Sequence, residues 1–179
     1  TPPPALANVH VLSVGYSTLP NRRVVALRVG GGLPYFLREG DTAIDVGANI
    51  GALTVPMSQM VGKNGRVYAI EADPENMHVL CANLALNGIR NAKPLNTFVA
   101  SDSTSPGRRD DAVPDGSAES RPVASVALDS LELERCDFIK VDVDGGELNV
   151  LHSGEMQIER FRPVLYFENE VRDQSSALL

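Results

Sequence analysis

The stretch T-A-I-D-V-G-A-N-I-G at residues 42–51 joins a short apolar run to a carboxylate, Asp45, and two glycines, Gly47 and Gly51. The apolar run predicts a buried β-strand, and the glycines predict a tight turn that opens a helix. Gly47 lets the backbone turn sharply and approach a ligand, which a Cβ atom would obstruct. We therefore expect a ligand-binding turn, with the first amides of the helix facing the ligand.

The spacing of these residues distinguishes between two nucleotide ligands. A dinucleotide-binding fingerprint reads G-x-G-x-x-G and places phosphate at a helix N-terminus. This stretch reads D-x-G-x-x-x-G instead. Because Asp45 would repel a pyrophosphate but suit a cation, the pattern favours S-adenosylmethionine, which carries a sulfonium and an ammonium, over NAD. For the stretch in isolation, a strand-to-helix turn without a ligand stays an alternative.

The composition bounds the class of protein. A chain of 179 residues with 43% hydrophobic residues predicts one globular domain. No apolar run is long enough for a membrane span, and the N-terminus T-P-P-P-A-L-A lacks signal-peptide features, so we expect a cytoplasmic protein. The net charge of −7 argues against nucleic acid as the main partner. Cys81 and Cys136 lack metal-site spacing and are interpreted as interior thiols of a reducing compartment.

Strands and helices alternate from Thr42 onwards, which predicts an α/β fold with a doubly wound, mostly parallel sheet. Two apolar runs at 9–14 and 23–29 predict an N-terminal β-hairpin before it. The further predicted strands are 65–71, 92–100, 123–128, 138–143 and 163–168. The predicted helices follow Gly51 (with Pro56 implying a late start or a kink), Asp73-Pro74 and a capping box at 144–147. The polar segment 102–122 predicts a mobile insertion, either a solvated loop or a lid.

Four predicted strands end in a carboxylate: Asp45, Glu71, Asp142 and Glu168. In such a sheet the ligand lies in the crevice beyond the carboxyl ends of the strands. Glu71, 20 residues past Gly51, is placed to accept the ribose hydroxyls of an adenosine. That role is common to NAD and S-adenosylmethionine and does not choose between them.

Six ordered stretches resemble the FkbM-type S-adenosylmethionine-dependent methyltransferases, and the resemblance covers about residues 33–170. They are D-V-G-A-N-I-G (45–51), A-I-E-A-D-P-E-N (69–76), N-L-A-L-N-G (83–88), L-D-S-L (128–131), D-F-I-K-V-D-V-D-G-G-E (137–147) and R-P-V-L-Y-F-E (162–168). The resemblance implies a Rossmann-like class I methyltransferase fold. It also implies an O-methyltransferase that acts on a hydroxyl of a small molecule or carbohydrate.

The site residues follow from these positions. The expected cofactor-binding residues are Asp45, Gly47, Ala48, Asn49, Gly51, Glu71, Ala72, Ser101 and Asp102. By resemblance, residues 47–51 cradle the amino-acid end of the cofactor, Glu71 binds ribose, and Ser101 and Asp102 flank the adenine. The candidate bases are Asp142, Asp144 and Glu168, although Asp142 also suits the methionine portion and Asp144 a helix cap. Nothing in the spacing demands a metal.

The resemblance also has departures. The family pattern D-V-E-G-A/Y-E is D-V-D-G-G-E here, and the C-terminal strands of a class I sheet are not found after residue 168. A strand at 163–167 without a neighbour would expose a hydrophobic edge. We divide the chain into a hairpin extension, 1–32, and a methyltransferase domain, 33–179, and we expect the C-terminus of that domain to be truncated. The oligomeric state stays open.

Two rival functions stay open. One is a catalytically silent S-adenosylmethionine-binding remnant. The other is an NAD-dependent oxidoreductase, for which the glycine fingerprint is missing. A nucleic-acid amino-methyltransferase would be expected to show N/D-P-P-Y/F after the fourth strand, where this chain has D-V-D-G.

Overall fold

The computed structural model describes residues 24–26, 36–100, 124–143 and 146–167. Its strands are β1 (Val24–Ala26), β2 (Thr42–Val46), β3 (Arg66–Glu71), β4 (Ala92–Asn96), β5 (Phe98–Val99), β6 (Ser125–Val126), β7 (Phe138–Val141) and β8 (Val164–Phe167). Six of them form one sheet in the order β1-β8-β7-β2-β3-β4, with every neighbouring pair parallel. Strands β5 and β6 form a separate parallel pair.

Helices cover both faces of the large sheet. They are α1 (Thr54–Val61), α2 (Pro74–Leu86), α3 (Glu147–His152) and α4 (Glu155–Phe161), and a 3₁₀ turn spans Leu128–Ser130. Met57 of α1 and Leu80 of α2 pack on one face, whereas Val150 of α3 and Ile158 of α4 pack on the other. This confirms the doubly wound arrangement that the alternation predicts.

Strand β2 is buried on both faces, which explains its nearly continuous apolar sequence. Ile44 and Val46 belong to the core on the side of α3 and α4, and Ala43 to the core on the side of α1. Because side chains alternate along a strand, Asp45 shares the face of Ala43. The carboxylate of Asp45 is therefore inside the protein, with 0% exposure.

The strand predicted at 92–100 is two strands, so that prediction is wrong. Strand β4 ends at Asn96, and the N–H of Thr97 donates to the carbonyl of Glu71 at 3.1 Å. The chain then leaves the main sheet, and the N–H of Phe98 donates to the carbonyl of Ala124 at 2.9 Å. Strand β3, the partner of β4, ends at Glu71 opposite Asn96, so the pairing of these two strands stops there.

Strand β1 lies within the run 23–29, which was predicted to pair with 9–14 in a hairpin. In the structure β1 pairs with β8 of the main sheet. Its residues run parallel to β8, with Val24 opposite Leu165 and Ala26 opposite Phe167. Strand β8 therefore has a neighbour on each side, and the open edge expected at 163–167 is not present. The proposed hairpin partner, 9–14, lies outside the described residues.

The predicted starts of α1 and α2 hold. Pro56 is the third residue of α1, where its missing N–H costs little, so the late helix start is correct. Asp73 caps α2, because its Oδ1 accepts the N–H of Glu75 at 2.6 Å and that of Asn76 at 3.3 Å. Pro74 is the first residue of that helix, as predicted.

The capping box predicted at 144–147 is wrong as a helix start. Helix α3 begins at Glu147, and its N-cap is Gly146, which provides no side-chain hydrogen bond. The N–H of Val150 donates to the carbonyl of Gly146 at 3.0 Å, so the first turn begins two residues later than a cap at Asp144 requires.

The two cysteines differ in environment. Cys136 is buried as expected, whereas Cys81 is exposed on α2. The buried face of α2 consists of Met77, Leu80 and Leu84. The interpretation of Cys81 as an interior thiol is therefore wrong.

The insertion proposed at 102–122 and the residues on either side of the domain boundary proposed at 32 lie outside the described residues. Among the helices of the described residues, none has the length and apolar character needed to cross a membrane.

Candidate functional site

The parallel sheet brings three of the four predicted strand-end carboxylates to one edge. Asp45 lies at the end of β2, Glu71 at the end of β3, and Asp142 directly after β7. Strand β2 is hydrogen-bonded to β7 on one side and to β3 on the other. The edge therefore presents these acids in the spatial order Asp142, Asp45, Glu71.

The carboxylate of Glu71 is held by two backbone amides. Its Oε2 accepts the N–H of Asn49 at 2.7 Å, and its Oε1 accepts the N–H of Asp73 at 2.8 Å. The residue is only 9% exposed. An ionised carboxylate offers about four lone-pair positions, so each oxygen still has acceptor capacity for a ligand hydroxyl.

The strand end at Glu71 is itself fixed by an amide side chain that the sequence analysis did not single out. Asn96 Nδ2 donates to the carbonyls of Glu71 at 2.9 Å and Ala72 at 3.2 Å. Ala72, a predicted cofactor-site residue, directly follows Glu71 and is half-buried. Its backbone position is set from β4.

The turn at 47–51 is closed by hydrogen bonds within the protein. The N–H groups of Gly47 and Ala48 both donate to the carbonyl of Ile70, each at 3.0 Å, and the N–H of Gly51 donates to the carbonyl of Ala48. The N–H of Ile50 donates to Asn49 Oδ1 at 2.7 Å. These turn amides are therefore paired within the protein. The expectation for the first amides of the helix, which begins at Thr54, stays a prediction.

Gly47 is required by a neighbouring strand end. Its φ angle is +74°, and a Cβ atom there would lie 1.9 Å from the carbonyl oxygen of Asp142. The sequence analysis predicted that Gly47 allows the backbone to approach a ligand. In the structure the group that lies this close to Gly47 is the backbone of Asp142, the residue after β7. Gly51 is favoured by its φ angle of +89°, since the nearest atom to an added Cβ, Leu80 Cδ1 at 2.5 Å, is the end of a flexible side chain that can shift.

Asp45 faces a cation of the protein. Its register partner on β7 is Lys140, and Lys140 Nζ lies 3.0 Å from Asp45 Oδ1. Asp45 Oδ2 accepts the hydroxyl of Thr54 at 2.6 Å. Asp45 is fully buried and Lys140 is 3% exposed, so the expectation that Asp45 offers its charge directly to a ligand is corrected. Removing one partner of such a buried pair typically costs about 3–5 kcal/mol.

Lys140 is the functional candidate that the sequence analysis missed. Besides Asp45, its ammonium contacts the carbonyl of Gly47 at 2.7 Å and Asp142 Oδ2 at 3.3 Å. The side chain of Asp142 is 46% exposed. Of the three strand-end acids, Asp142 is therefore the one with a carboxylate open to solvent.

The charge of this edge fits a cationic ligand. Three carboxylates, Asp45, Glu71 and Asp142, and one ammonium, Lys140, give a formal sum of −2. Among the described residues, no group of three or more His, Cys, Asp or Glu side chains is arranged to hold a metal ion. Ser101, Asp102, Asp144 and Glu168, the remaining predicted site residues, lie outside the described residues.

The profile of the methyltransferase FkbM domain matches residues 45–176, which is most of the chain. The chain belongs to the FkbM methyltransferase family. It is an S-adenosylmethionine-dependent methyltransferase domain, and S-adenosylmethionine is its cofactor. The resemblance noted in the sequence is confirmed.

Two curated relatives match over short segments. A tRNA(Phe) (4-demethylwyosine(37)-C(7)) aminocarboxypropyltransferase of Methanocaldococcus jannaschii is 35% identical over 63 residues, which are 35% of this chain and 25% of the relative. A probable cobalt-precorrin-6B C(15)-methyltransferase (decarboxylating) of Saccharolobus solfataricus is 33% identical over 55 residues, 31% of this chain and 28% of the relative. The chain thus matches only about a quarter of the length of each.

Two solved structures show the same fold. The precorrin-6y C5,15-methyltransferase of Geobacter metallireducens has a TM-score of 0.55 at 19% identity, covering 82% of this chain and 63% of that one. An S-adenosylmethionine-dependent O-methyltransferase of Thermotoga maritima has a TM-score of 0.54 at 17% identity, covering 78% and 42%. The Rossmann-like class I architecture is therefore shared.

The described residues fit this cofactor at its ribose and at its cationic end. The spare acceptor positions of Glu71 suit two hydroxyl donors, and the formal charge of the edge suits a sulfonium and an ammonium. The same charge would oppose a pyrophosphate.

Proposed function

We propose that this domain transfers the methyl group of S-adenosylmethionine to a hydroxyl oxygen of a small molecule or carbohydrate. The observation that carries the cofactor part of the proposal is the Glu71 carboxylate, fixed by two backbone N–H groups at the carboxyl edge of the sheet. A side chain positioned before the ligand arrives loses little conformational freedom on binding.

Each proposed cofactor-binding residue is assigned a part of the cofactor according to its position at the sheet edge. Glu71 accepts the ribose hydroxyls, and Ala72 follows it on the side of β4. The turn residues Gly47, Ala48, Asn49 and Gly51 shape the floor beneath the ligand, and Asp45 acts through Lys140. Ser101 and Asp102 stay proposed for the adenine. The methyltransferase domain itself is proposed to span 33–179.

Methyl transfer to a hydroxyl requires that the acceptor oxygen is aligned with the methyl group and that the hydroxyl proton is removed. The sulfonium group supplies an already activated methyl when the cofactor is bound. The protein then has to hold an acceptor oxygen in line with the bond to be broken and to provide a base for the hydroxyl proton. The carboxylates proposed for that proton are Asp142, Asp144 and Glu168.

The acceptor is the part of the proposal that needs a direct assay. The names of the curated relatives include carbon and tRNA chemistry, so an acceptor panel has to include corrinoid-type carbon acceptors and tRNA beside sugars and hydroxylated metabolites. The test uses the full chain with S-adenosylmethionine carrying a labelled methyl group. Label transfer to a hydroxyl compound supports the proposal. Transfer only to carbon or to tRNA overturns the assignment of the acceptor.

Two rival functions are separated by binding. Calorimetry with S-adenosylmethionine and with NAD is expected to give saturable heat with the first alone. Saturation by NAD alone would establish a dinucleotide enzyme instead. Binding of S-adenosylmethionine without label transfer to any class of acceptor would favour the silent remnant.

A further inference from the structure

Lys140 is a buried cation whose three shortest polar contacts lie at the ends of two strands. Its Nζ atom is 2.7 Å from the carbonyl oxygen of Gly47, 3.0 Å from Asp45 Oδ1 and 3.3 Å from Asp142 Oδ2. The contact with the Gly47 carbonyl is a hydrogen bond, and the contacts with the two carboxylates are ion pairs. Asp45 Oδ1 has no hydrogen-bond partner among the described residues, so its 3.0 Å contact with Lys140 Nζ is an ion pair. Lys140 therefore both neutralises Asp45 and orients two groups that line the edge.

The position of Glu71 gives the bound cofactor two directions in which to extend. On one side lies β4, whose Asn96 side chain is neutral and donates to backbone carbonyls. On the other side, two strand spacings or about 10 Å away, lies Asp142 after β7. The adenine is uncharged and the α-amino group is cationic. The aminoacyl end also carries an α-carboxylate, so its net charge does not orient it. A charge-assisted hydrogen bond from the α-ammonium to Asp142 would place the aminoacyl end towards Asp142 and the adenine towards β4.

We propose that Lys140 is a positioning residue for the aminoacyl end of the cofactor. It holds Asp142 through Oδ2, which leaves Oδ1 to accept a hydrogen bond from the α-ammonium, and it fixes the adjacent Gly47 peptide. Lys140 is only 3% exposed, so it acts through these two groups without touching the ligand. The inference rests on the proposed function and assigns Asp142 to cofactor binding, which leaves proton removal to the other proposed bases.

Binding of three ligands distinguishes positioning of the aminoacyl end by Lys140 from a purely structural role of this residue. S-adenosylmethionine carries both the sulfonium and the α-ammonium, S-adenosylhomocysteine carries only the α-ammonium, and 5′-methylthioadenosine carries neither while it keeps the ribose and adenine. Binding of each to the full chain is measured by calorimetry, so no acceptor is needed.

The variants are chosen so that the fold survives. Lys140→Met alone leaves Asp45 buried and unpaired, so it is combined with Asp45→Asn, which removes both buried charges. Asp142→Asn tests the contact through which Lys140 is proposed to act. Lys63→Met, at an exposed lysine, is the matched control for loss of a positive charge. Thermal unfolding of each variant confirms that it is folded.

We expect the double variant and Asp142→Asn to lose at least tenfold affinity for S-adenosylmethionine and S-adenosylhomocysteine, and less than twofold for 5′-methylthioadenosine. Wild-type affinities in the double variant would show that Lys140 serves only to neutralise Asp45, and would overturn the proposal. An equal loss for all three ligands would also overturn it, because that result means a collapsed turn. If the wild type binds none of them, the proposed function itself fails.

Discussion

The carboxylate of Glu71 joins the ends of two neighbouring strands, because its Oε2 accepts the N–H of Asn49 in the turn after β2 at 2.7 Å. Asn49 has a φ angle of +51°, a left-handed conformation that asparagine adopts more readily than most residues. The same carboxylate reaches the cap of α2 through the N–H of Asp73. One side chain thus orders both sides of the proposed ribose position.

Replacing Glu71 by glutamine is expected to weaken every adenosine ligand. The amide keeps one acceptor oxygen but turns an NH₂ group towards a backbone N–H donor, and it removes the charge. Hydrogen bonds to charged groups contribute about 1.5–3 kcal/mol each, so we expect a loss of roughly tenfold or more. Calorimetry with S-adenosylhomocysteine and 5′-methylthioadenosine measures it. Glu75→Gln, exposed at the start of α2, is the control. Unchanged affinity in Glu71→Gln would remove Glu71 from the ribose site.

Gly47→Ala is expected to destabilise the domain far more than Gly88→Ala. Both glycines have positive φ, +74° and +65°, so both substitutions carry a backbone cost of about 1 kcal/mol or more. Only at Gly47 does the new Cβ collide, at 1.9 Å from the carbonyl oxygen of Asp142, whereas nothing lies within 4 Å at Gly88. We expect an extra loss of about 2 kcal/mol or more in the free energy of unfolding, measured by urea denaturation. Equal losses would contradict the contact between the turn and β7.

The sequence predicted the strands well where burial on both faces demands an apolar run, as in β2, β3 and β7. It also placed Asp45, Glu71 and Asp142 at strand ends, because this depends only on where each run stops. Lys140 was overlooked although it interrupts a buried strand, and a buried charge requires a partner. That Asp45 is this partner depends on the order and register of β2 and β7, which no local pattern specifies.

Other differences arose from local patterns that the tertiary structure overrode. The run 92–100 has strand character throughout, yet β4 ends at Asn96 because its partner β3 ends opposite it at Glu71. The pattern at 144–147 matches a capping box, yet α3 begins at Glu147. The partnership of β1 with β8 joins residues far apart in the chain, and composition carries no signal for it.

The L-D-S-L stretch at 128–131 has a structural role that can be tested separately from the site. Asp129 Oδ1 accepts the N–H of Gln157 at 2.8 Å, and its Oδ2 accepts the N–H of Met156 at 3.1 Å, so it satisfies the free amides at the start of α4. Asp129→Ala is expected to lower the free energy of unfolding by about 1–2 kcal/mol. Glu132→Ala, at an exposed carboxylate nearby, is expected to change it by less than about 0.5 kcal/mol. A loss for Asp129→Ala as small as that of the control would show that the cap contributes nothing.

The two thiols are expected to react at very different rates in the folded protein. Burial, with the neighbouring charge of Asp137, raises the pKa of Cys136 from 9.0 to about 12, although a backbone hydrogen bond of Phe138 opposes the shift. Cys136 therefore stays protonated near neutral pH, and the thiolate is the reactive form. Cys81 is exposed. Ellman's reagent at pH 8 is expected to modify Cys81 rapidly in the native chain and Cys136 only in denaturant.

The same pKa gives a stability prediction with a definite sign. Between pH 9 and about 12 the unfolded chain has lost the Cys136 proton while the folded chain keeps it, so the unfolded state binds fewer protons and stability falls as the pH rises. Below pH 9 this contribution is fully present. Urea denaturation across pH 8–11 is expected to show a shallower alkaline decline in Cys136→Ala than in Cys81→Ala, which keeps the buried thiol. Parallel declines, or rapid labelling of Cys136 in folded Cys81→Ala, would contradict a buried neutral thiol at this position.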